Sequence, residues 1–420
     1  MIAFRHPFTF LITLALGLSS CGGDSENIYE NDLTGKDTEE SILTLNDERP
    51  LRIEVDKRKI EEGRTSSFLE IKDFVYLSNE KPVGKIDKVL FWEDRIYILD
   101  KQVTQSLLCF DRDGKLQHAV GAVGEGPGEF RKIYDAQINP YTNALEIWDG
   151  PGQKLLAFDQ GGRFLRETHV DVFASEFAPL SSSVYLFHQG TLAVDPSLQY
   201  KVIAVDIDSK KVKGKYFPLK EGEGTFKFRP ARALHRNQYN EHYYFVDPFD
   251  YHVYAFTDRQ LTRDFFVDCQ SHAIPPSLVS YRKPPKELVD LLYDANYFGL
   301  IEMPIETDDY IYFSINNGVD IIHNVHHKSS GRTKSFRNVE DDLAEGLIGP
   351  PVGVDEAGEV VYAIDPGLFK MIVQGKAKHR ALTEAELIEK WKTERPLAYE
   401  LYHRMGEFDN PILVRCAFTI

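Results

Sequence analysis

The residues best suited to chemistry in this sequence lie in one glycine-rich stretch and in a few basic side chains that follow such stretches. Val120 to Phe130 reads VGAVGEGPGEF. Gly124, Gly126 and Gly128, with Pro127 between them, permit a tight backbone path that ends in Glu129. Successive N–H groups along such a path can form a nest for an anion. The simpler role of the same glycines is to let the chain cross from one sheet to the next. A dinucleotide fingerprint is excluded, because no helix follows and proline interrupts the turn. Arg131 comes next, and Arg229, Arg232 and His235 follow a second stretch, Glu221-Gly222-Glu223-Gly224. Convergent guanidinium groups suit a carboxylate or sulfate ligand, which they grip in bidentate fashion. Solvated or ion-paired arginines are the alternative.

Metal and nucleophile chemistry find less support. His323, His326 and His327 form a cluster before Lys328-Ser329-Ser330-Gly331, where a solvated hairpin accounts for them. Asp111-Arg112-Asp113-Gly114 begins like a calcium loop but lacks the later acidic ligand. No GxSxG, HExxH or GxxxxGK[ST] motif occurs. The expectation is no resident metal or cofactor and no catalytic residue. The alternative is Ca²⁺ or Zn²⁺ held at a central channel by side chains from separate strands, giving a lyase or hydrolase.

The elements that must position these residues repeat. First-strand segments begin at Ile96, Leu145, Val184, Tyr243, Ile311 and Val361. Partner strands are expected near Leu107, Leu155, Ile203, Val253, Ile321 and Met371. Four of the six first segments end in Asp, whose side chain can bond nearby backbone in a turn. Asp113-Gly114 and Gly161-Gly162 supply the positive φ of tight hairpins. Strand pairs repeating at a period of about 48 residues fall in the range of propeller blades. The expected fold is all-β, a six-bladed propeller of four-stranded antiparallel blades over residues 51–420. Two helical insertions are expected, near 277–297 and 383–404, the second broken at Pro396. Leu51–Val55 and Pro411–Phe418 are expected to share the closing sheet, which removes an open edge.

The N-terminus concerns address. Pro7 to Leu18 is an uncharged apolar run, shorter than the roughly 20 residues a membrane-spanning helix needs, and it suits a signal peptide over residues 1–20. Leu18-Ser19-Ser20-Cys21 resembles the bacterial lipobox, which makes Cys21 the expected lipid anchor. Residues 21–50 carry nine acids against Lys36 and Arg49 and read as a flexible tether. Cys109, Cys269 and Cys416 remain, an odd number without a CxxC pair, so no disulfide framework is expected. Across the chain 65 acidic residues face 49 basic ones, a net charge of -16. That balance argues against nucleic-acid binding, which needs Lys and Arg to displace counterions.

Taken together, the VGAVGEGPGEF stretch, the IYILD and FDRDGKL blocks before it and the closing Glu407-Phe408-Asp409-Asn410-Pro411-Ile412-Leu413-Val414 resemble the NHL-repeat-like six-bladed propeller lipoproteins of Gram-negative envelopes. The likeness spans about residues 51–420 and is strongest in the first two blades and at the C-terminus. It implies an envelope location, outer membrane by expectation, and no established catalytic residues. The expected function is a binding module for an envelope protein, peptide or glycan.

Overall fold

The computed structural model describes residues 42–46, 48–190, 196–220, 223, 230, 232–257, 259–279, 285–295, 297–317, 319–347 and 349–420. Among the described residues its backbone is built around six antiparallel units of four strands each, two of them widened to five and six strands by parallel strands from the N-terminal segment. Sheet one runs Lys88–Trp92, Arg95–Asp100, Ser106–Asp111 and Leu116–Ala119. Sheet two runs Ile133–Asn139, Ala144–Asp149, Lys154–Phe158 and Phe164–His169. Sheet three runs Glu176–Pro179, Val184–His188, Tyr200–Asp206 and Lys211–Pro218. Sheet four has Leu234–Arg236, Tyr243–Phe245, His252–Phe256 and Gln260–Asp268. Sheet five has Leu300–Glu306, Tyr310–Asn316, Ile321–His327 and Arg332–Glu340. Sheet six takes Gly353–Val354, Val360–Ile364 and Ile412–Phe418 from the end of the chain and its outer strand, Leu69–Tyr76, from the beginning.

Five of the six repeated strand pairs of the sequence are the second and third strands of these sheets. They are buried on both faces, which is why they read as nearly continuous apolar runs rather than as alternation. Aromatic side chains at repeated positions tie the sheets together. The Tyr97 hydroxyl donates to the Gln160 carbonyl at 2.9 Å, Tyr185 to Glu146 at 2.9 Å and Tyr244 to Glu306 at 2.6 Å, each in a neighbouring sheet. The strand-end aspartates do more than shape a turn. Asp100 accepts from the backbone N–H of Gly84, Lys85 and Val103 and from the Thr104 hydroxyl. Asp149 accepts from Arg131, Lys132 and Gly152. Each carboxylate therefore holds its own turn and the chain arriving from the previous sheet.

Asp365 shows why one expectation fails. A partner strand was expected near Met371, but the Asp365 carboxylate accepts from the Leu368 N–H at 2.7 Å and caps a helix, Pro366–His379. With Pro366 at its first turn this helix is favoured over a hairpin. The third strand of sheet six is deferred to Ile412–Phe418. We label the helices α1 (Pro285–Asp294), α2 (Pro366–His379), α3 (Glu384–Glu394) and α4 (Pro396–Arg404). Thr383 and Glu386 form the capping box of α3, and Pro396 breaks it from α4 as the sequence indicates. Phe369, Val373, Leu387, Trp391 and Leu401 of these three helices pack with Tyr362 and Val414 of sheet six in one apolar cluster.

The closing arrangement also differs from expectation. Leu51–Glu54 does not join the terminal strand; it pairs in parallel with Gln260–Asp268 of sheet four. The partner of Ile412–Phe418 is Leu69–Tyr76, antiparallel. Between them the N-terminal segment works as a strap. Ile42 donates to the Lys213 carbonyl on the edge of sheet three. Thr44–Asn46 and Leu51–Glu54 line the edge of sheet four, and Glu61–Arg64 lines that of sheet five. Thr44–Asn46 lies inside the stretch expected to be tether. Parallel pairing there removes two exposed strand edges. Cys21 and the signal stretch lie outside the described residues.

Candidate functional site

The glycine loop is the simplest part to place. Ala122–Val123 and Glu129–Phe130 pair in parallel, and the Gly124 N–H donates to the Phe130 carbonyl at 2.9 Å. The Gly126 N–H donates to the Glu129 carboxylate at 2.8 Å, while the Glu129 N–H returns to the Gly126 carbonyl at 3.0 Å. The nest thus holds an anion, and that anion is the loop's own Glu129. A Cβ at Gly124 would run into this carboxylate. Gly128 has φ +76°, a conformation glycine adopts without strain. Arg131 is exposed and pairs with Glu125 of the same loop at 3.2 Å. Glu223 repeats the device: the Lys220 N–H donates to its carboxylate at 2.8 Å, and its own N–H to the Lys220 carbonyl at 3.0 Å. The resemblance between the two stretches read from the sequence is physical.

Arg232 and His235 lie elsewhere, in the middle of the molecule, where the first strands of the sheets converge. Arg232 donates to the Val352 carbonyl of the sixth sheet at 3.4 Å. His235 Nε2 donates to the Pro304 carbonyl of the fifth at 2.9 Å. Arg236 reaches the Ile138 carbonyl of the second sheet, and Gln238 bonds both the N–H and the carbonyl of Phe91 in the first. One segment of sheet four therefore plugs the centre, leaving a cavity of about 20 Å³. That is room for about one water. His235 Nδ1 and Gln137 Oε1, both buried, have no hydrogen-bond partner among the described residues. Burial pushes the His235 pKa down to about 4 and lowers that of Arg232. Arg229 lies outside the described residues, so the sequence's basic set is divided: Arg131 at the surface, Arg232 and His235 at the centre.

A larger cavity, about 220 Å³, opens beside the plug. Its lining is charged with both signs: Lys101 at the end of the second strand of sheet one, Ser175, Glu176, His188 and Lys201 of sheet three, Glu223, and Asp247 of sheet four. The Lys201 ammonium is buried between two carboxylates, Glu223 at 2.5 Å and Asp247. Burial works against that ammonium, yet the pair of carboxylates more than offsets it and its pKa is raised. Asp247 is left with the poorer share. Burial, with the Glu223 charge beside it, pushes its carboxyl up to about 6. On the other wall His188 Nδ1 lies 2.9 Å from Glu176, and the Leu234 N–H donates to the same carboxylate oxygen at 3.0 Å. Burial works against the Glu176 charge too, but His188 outweighs it and the pKa falls to about 2. Ser175 Oγ stands 3.2 Å from His188 Nδ1.

Below this cavity a second buried ion pair, Lys88 with Asp135, joins the first strands of sheets one and two. Buried charges of this kind are costly unless each is paired and hydrogen-bonded. Asp135 accepts also from the Ala136 N–H at 2.9 Å, and Lys88 donates also to the Ala136 carbonyl at 3.2 Å. None of Lys88, Asp135, Glu176, His188, Lys201 or Asp247 stood out as a site residue in the sequence. The signal available was register. His188 and Asp247 occupy the strand-end position that Asp100 and Asp149 hold in the first two sheets, and Lys201 interrupts an apolar run, Tyr200–Asp206.

The three histidines near the hairpin of sheet five bond separately. Their Nδ1 atoms meet the Tyr312 hydroxyl, the Thr333 hydroxyl and the Ser330 hydroxyl for His323, His326 and His327 respectively. Among the described residues no group of three or more His, Cys, Asp or Glu side chains is arranged to hold a metal. Cys109, Cys269 and Cys416 are buried free thiols. No helix among the described residues is long and apolar enough to cross a membrane.

Fold and site together define a mostly β protein of four-stranded antiparallel sheets with four α-helices among the described residues and a charged cavity at one sheet junction. The chain belongs to the family described as a domain of unknown function, DUF4934, whose model matches residues 79–417. No curated protein matches its sequence. Among solved structures it is similar to a Bacteroides fragilis protein described as exported. The two share 15% identity and a TM-score of 0.69, over 88% of this chain and 100% of that one. A DUF4221 family member from Bacteroides vulgatus matches at 9% identity and TM-score 0.44, covering 84% of this chain and 97% of that one. The WD40 repeats of RRP9 match at 10% identity and TM-score 0.38, covering 86% and 100%.

Proposed function

We propose that the six sheets are the blades of a closed six-bladed propeller. We further propose that the protein is a lipid-anchored envelope module that binds a ligand without catalysing a reaction on it. Closure is supported by the backbone bond from Val89 of sheet one to Val352 beside sheet six, and by sheet six drawing its strands from both ends of the described chain. The anchor reading rests on the lipobox-like sequence ending in Cys21, and the likeness to an exported protein agrees with it. The observation that carries the binding reading is the cavity of about 220 Å³, concave and lined by a few convergent polar groups. Its carboxylates already have a lysine and a histidine as partners, and this reading assigns the site no resident metal or cofactor.

The test is a binding screen of the full-length, detergent-solubilised protein against glycans, peptides and envelope proteins, read by calorimetry. The reading expects at least one saturable ligand whose affinity changes when the cavity lining is altered. A screen with no binder overturns it. For the anchor, Cys21→Ala is expected to release the protein from the membrane fraction, and retention of the variant there overturns that part.

A further inference from the structure

The cavity between sheets three and four carries two polar groups whose bonding capacity the protein does not use. The Lys101 ammonium has three N–H donors, and among the described residues it makes one hydrogen bond, to the Tyr134 carbonyl at 3.3 Å. Asp247 meets Lys201 through Oδ2, and its Oδ1 has no partner among the described residues. Both residues line the same space. Ser175 lines it too, but its hydroxyl is already engaged, donating to the His188 carbonyl at 3.3 Å. The arrangement around Lys201 also carries an unbalanced charge. Two carboxylates, Glu223 and Asp247, share one ammonium, so the trio is negative by one when all three are ionised.

A ligand that satisfies these groups needs a cation for the Asp247 side and an anion for Lys101. The volume of about 220 Å³ limits it to a small molecule. We propose that this cavity binds a small zwitterion of the α-amino-acid type. Its ammonium donates to Asp247 Oδ1, and its carboxylate accepts from Lys101. The proposal rests on the binding-module reading and specifies its ligand class. An anion alone would leave the negative trio uncompensated, and an amine alone would leave Lys101 with its single long bond. The other charged groups facing Asp247 are Lys201, Glu223 and Lys220. Of these, the two lysines oppose a ligand cation and Glu223 favours it. The ammonium must therefore sit against the Oδ1 side, away from Lys201.

Calorimetry on the full-length, detergent-solubilised protein tests this with the twenty common amino acids, each beside its N-acetyl and carboxamide derivatives. At least one free amino acid is expected to bind, with N-acetylation and amidation each weakening it tenfold or more. Asp247→Asn is expected to erase the effect of N-acetylation, and Lys101→Met that of amidation, while near-ultraviolet circular dichroism verifies that both variants are folded. If the deaminated acid binds as well as the amino acid, or if neither substitution matters, the proposal is overturned. A glycan or peptide that binds with indifference to both substitutions overturns the zwitterion but leaves the binding module standing. No binder in either panel overturns both.

Discussion

Asp100 of sheet one and Asp149 of sheet two sit where the second strand turns, and each spends its carboxylate on backbone N–H groups. The same position in sheet three is His188, and in sheet four Asp247. Among the described residues, neither accepts a hydrogen bond from the local turn through its side chain. His188 turns to Glu176, and Asp247 to a lysine in the sheet before it. The first two sheets use the position to hold the chain together. The next two have given up that service, and a charged cavity stands at their junction. A repeated fold thus marks its own site: where a structural residue is replaced or its bonds redirected, the local rule has been broken and a function is the natural reason.

The sharpest way to break this comparison is at Lys201. Lys201→Met leaves Glu223 and Asp247 buried without their shared cation, and removal of one partner from such a buried set costs about 3–5 kcal/mol. Chemical denaturation is expected to show that loss, and a loss under about 1 kcal/mol contradicts the buried-triad picture. Next comes Asp149→Ala, which strands three N–H groups. About 3 kcal/mol is expected, since an orphaned buried donor costs roughly 1–3 kcal/mol and these three are only partly enclosed. Asp247→Asn is the counterpart that sharpens the contrast. Its neutral amide escapes the desolvation that raises the Asp247 pKa, so stability is expected to change by less than about 1 kcal/mol while ligand affinity falls.

The pH dependence separates the two walls of the cavity. The Glu176 pKa, about 2 in the fold against an ordinary 4.5, means its contribution is present above pH 4.5 and lost as pH falls toward 2. Asp247 has the opposite sign. Raised from 3.8 to about 6, its ionisation erodes stability as pH climbs from 3.8 through 6, with no further change above. Denaturation midpoints across pH 3–8 are expected to show a flattened acid limb in Glu176→Gln and a flattened stretch between pH 4 and 6 in Asp247→Asn. Parallel curves for both variants and the parent contradict the assignment. At the glycine loop the expected effect is on stability alone. Gly124→Ala forces the flexible Glu129 carboxylate aside, for about 1 kcal/mol, and leaves cavity binding unchanged; calorimetry with any ligand of the cavity checks the second half.

Much of the fold is legible in the sequence because the inner strands are apolar, aromatic and evenly spaced. Five of the six expected strand pairs fall on the observed second and third strands, and Asp365 explains the sixth, since a capping aspartate followed by proline is a helix start in any register. The strap was not legible. Leu51–Glu54 alternates as any edge strand does, and nothing local says which of six edges it joins. The site was half legible. Glycines and arginines advertise chemistry by type, yet the loop is filled by Glu129 and Arg131 is tied to Glu125. Lys201, Asp247 and Glu176 are ordinary residues in a sequence with 114 charged side chains, 65 acidic and 49 basic, and only their convergence from distant positions makes them distinctive.

The origin of sheet six in both ends of the described chain has a kinetic consequence. Leu69–Tyr76 pairs with Ile412–Phe418, a separation of more than 330 residues, so this contact cannot form until residues 412–418 have been made. Until then the outer strand of sheet six waits unpaired, a hazard for mispairing. Contacts this distant in sequence slow folding, although the entropy of closing so long a loop grows only with the logarithm of its length. Residues made late therefore lock residues made early, and a chain truncated before residue 412 is expected to lack the strand that pairs with Leu69–Tyr76.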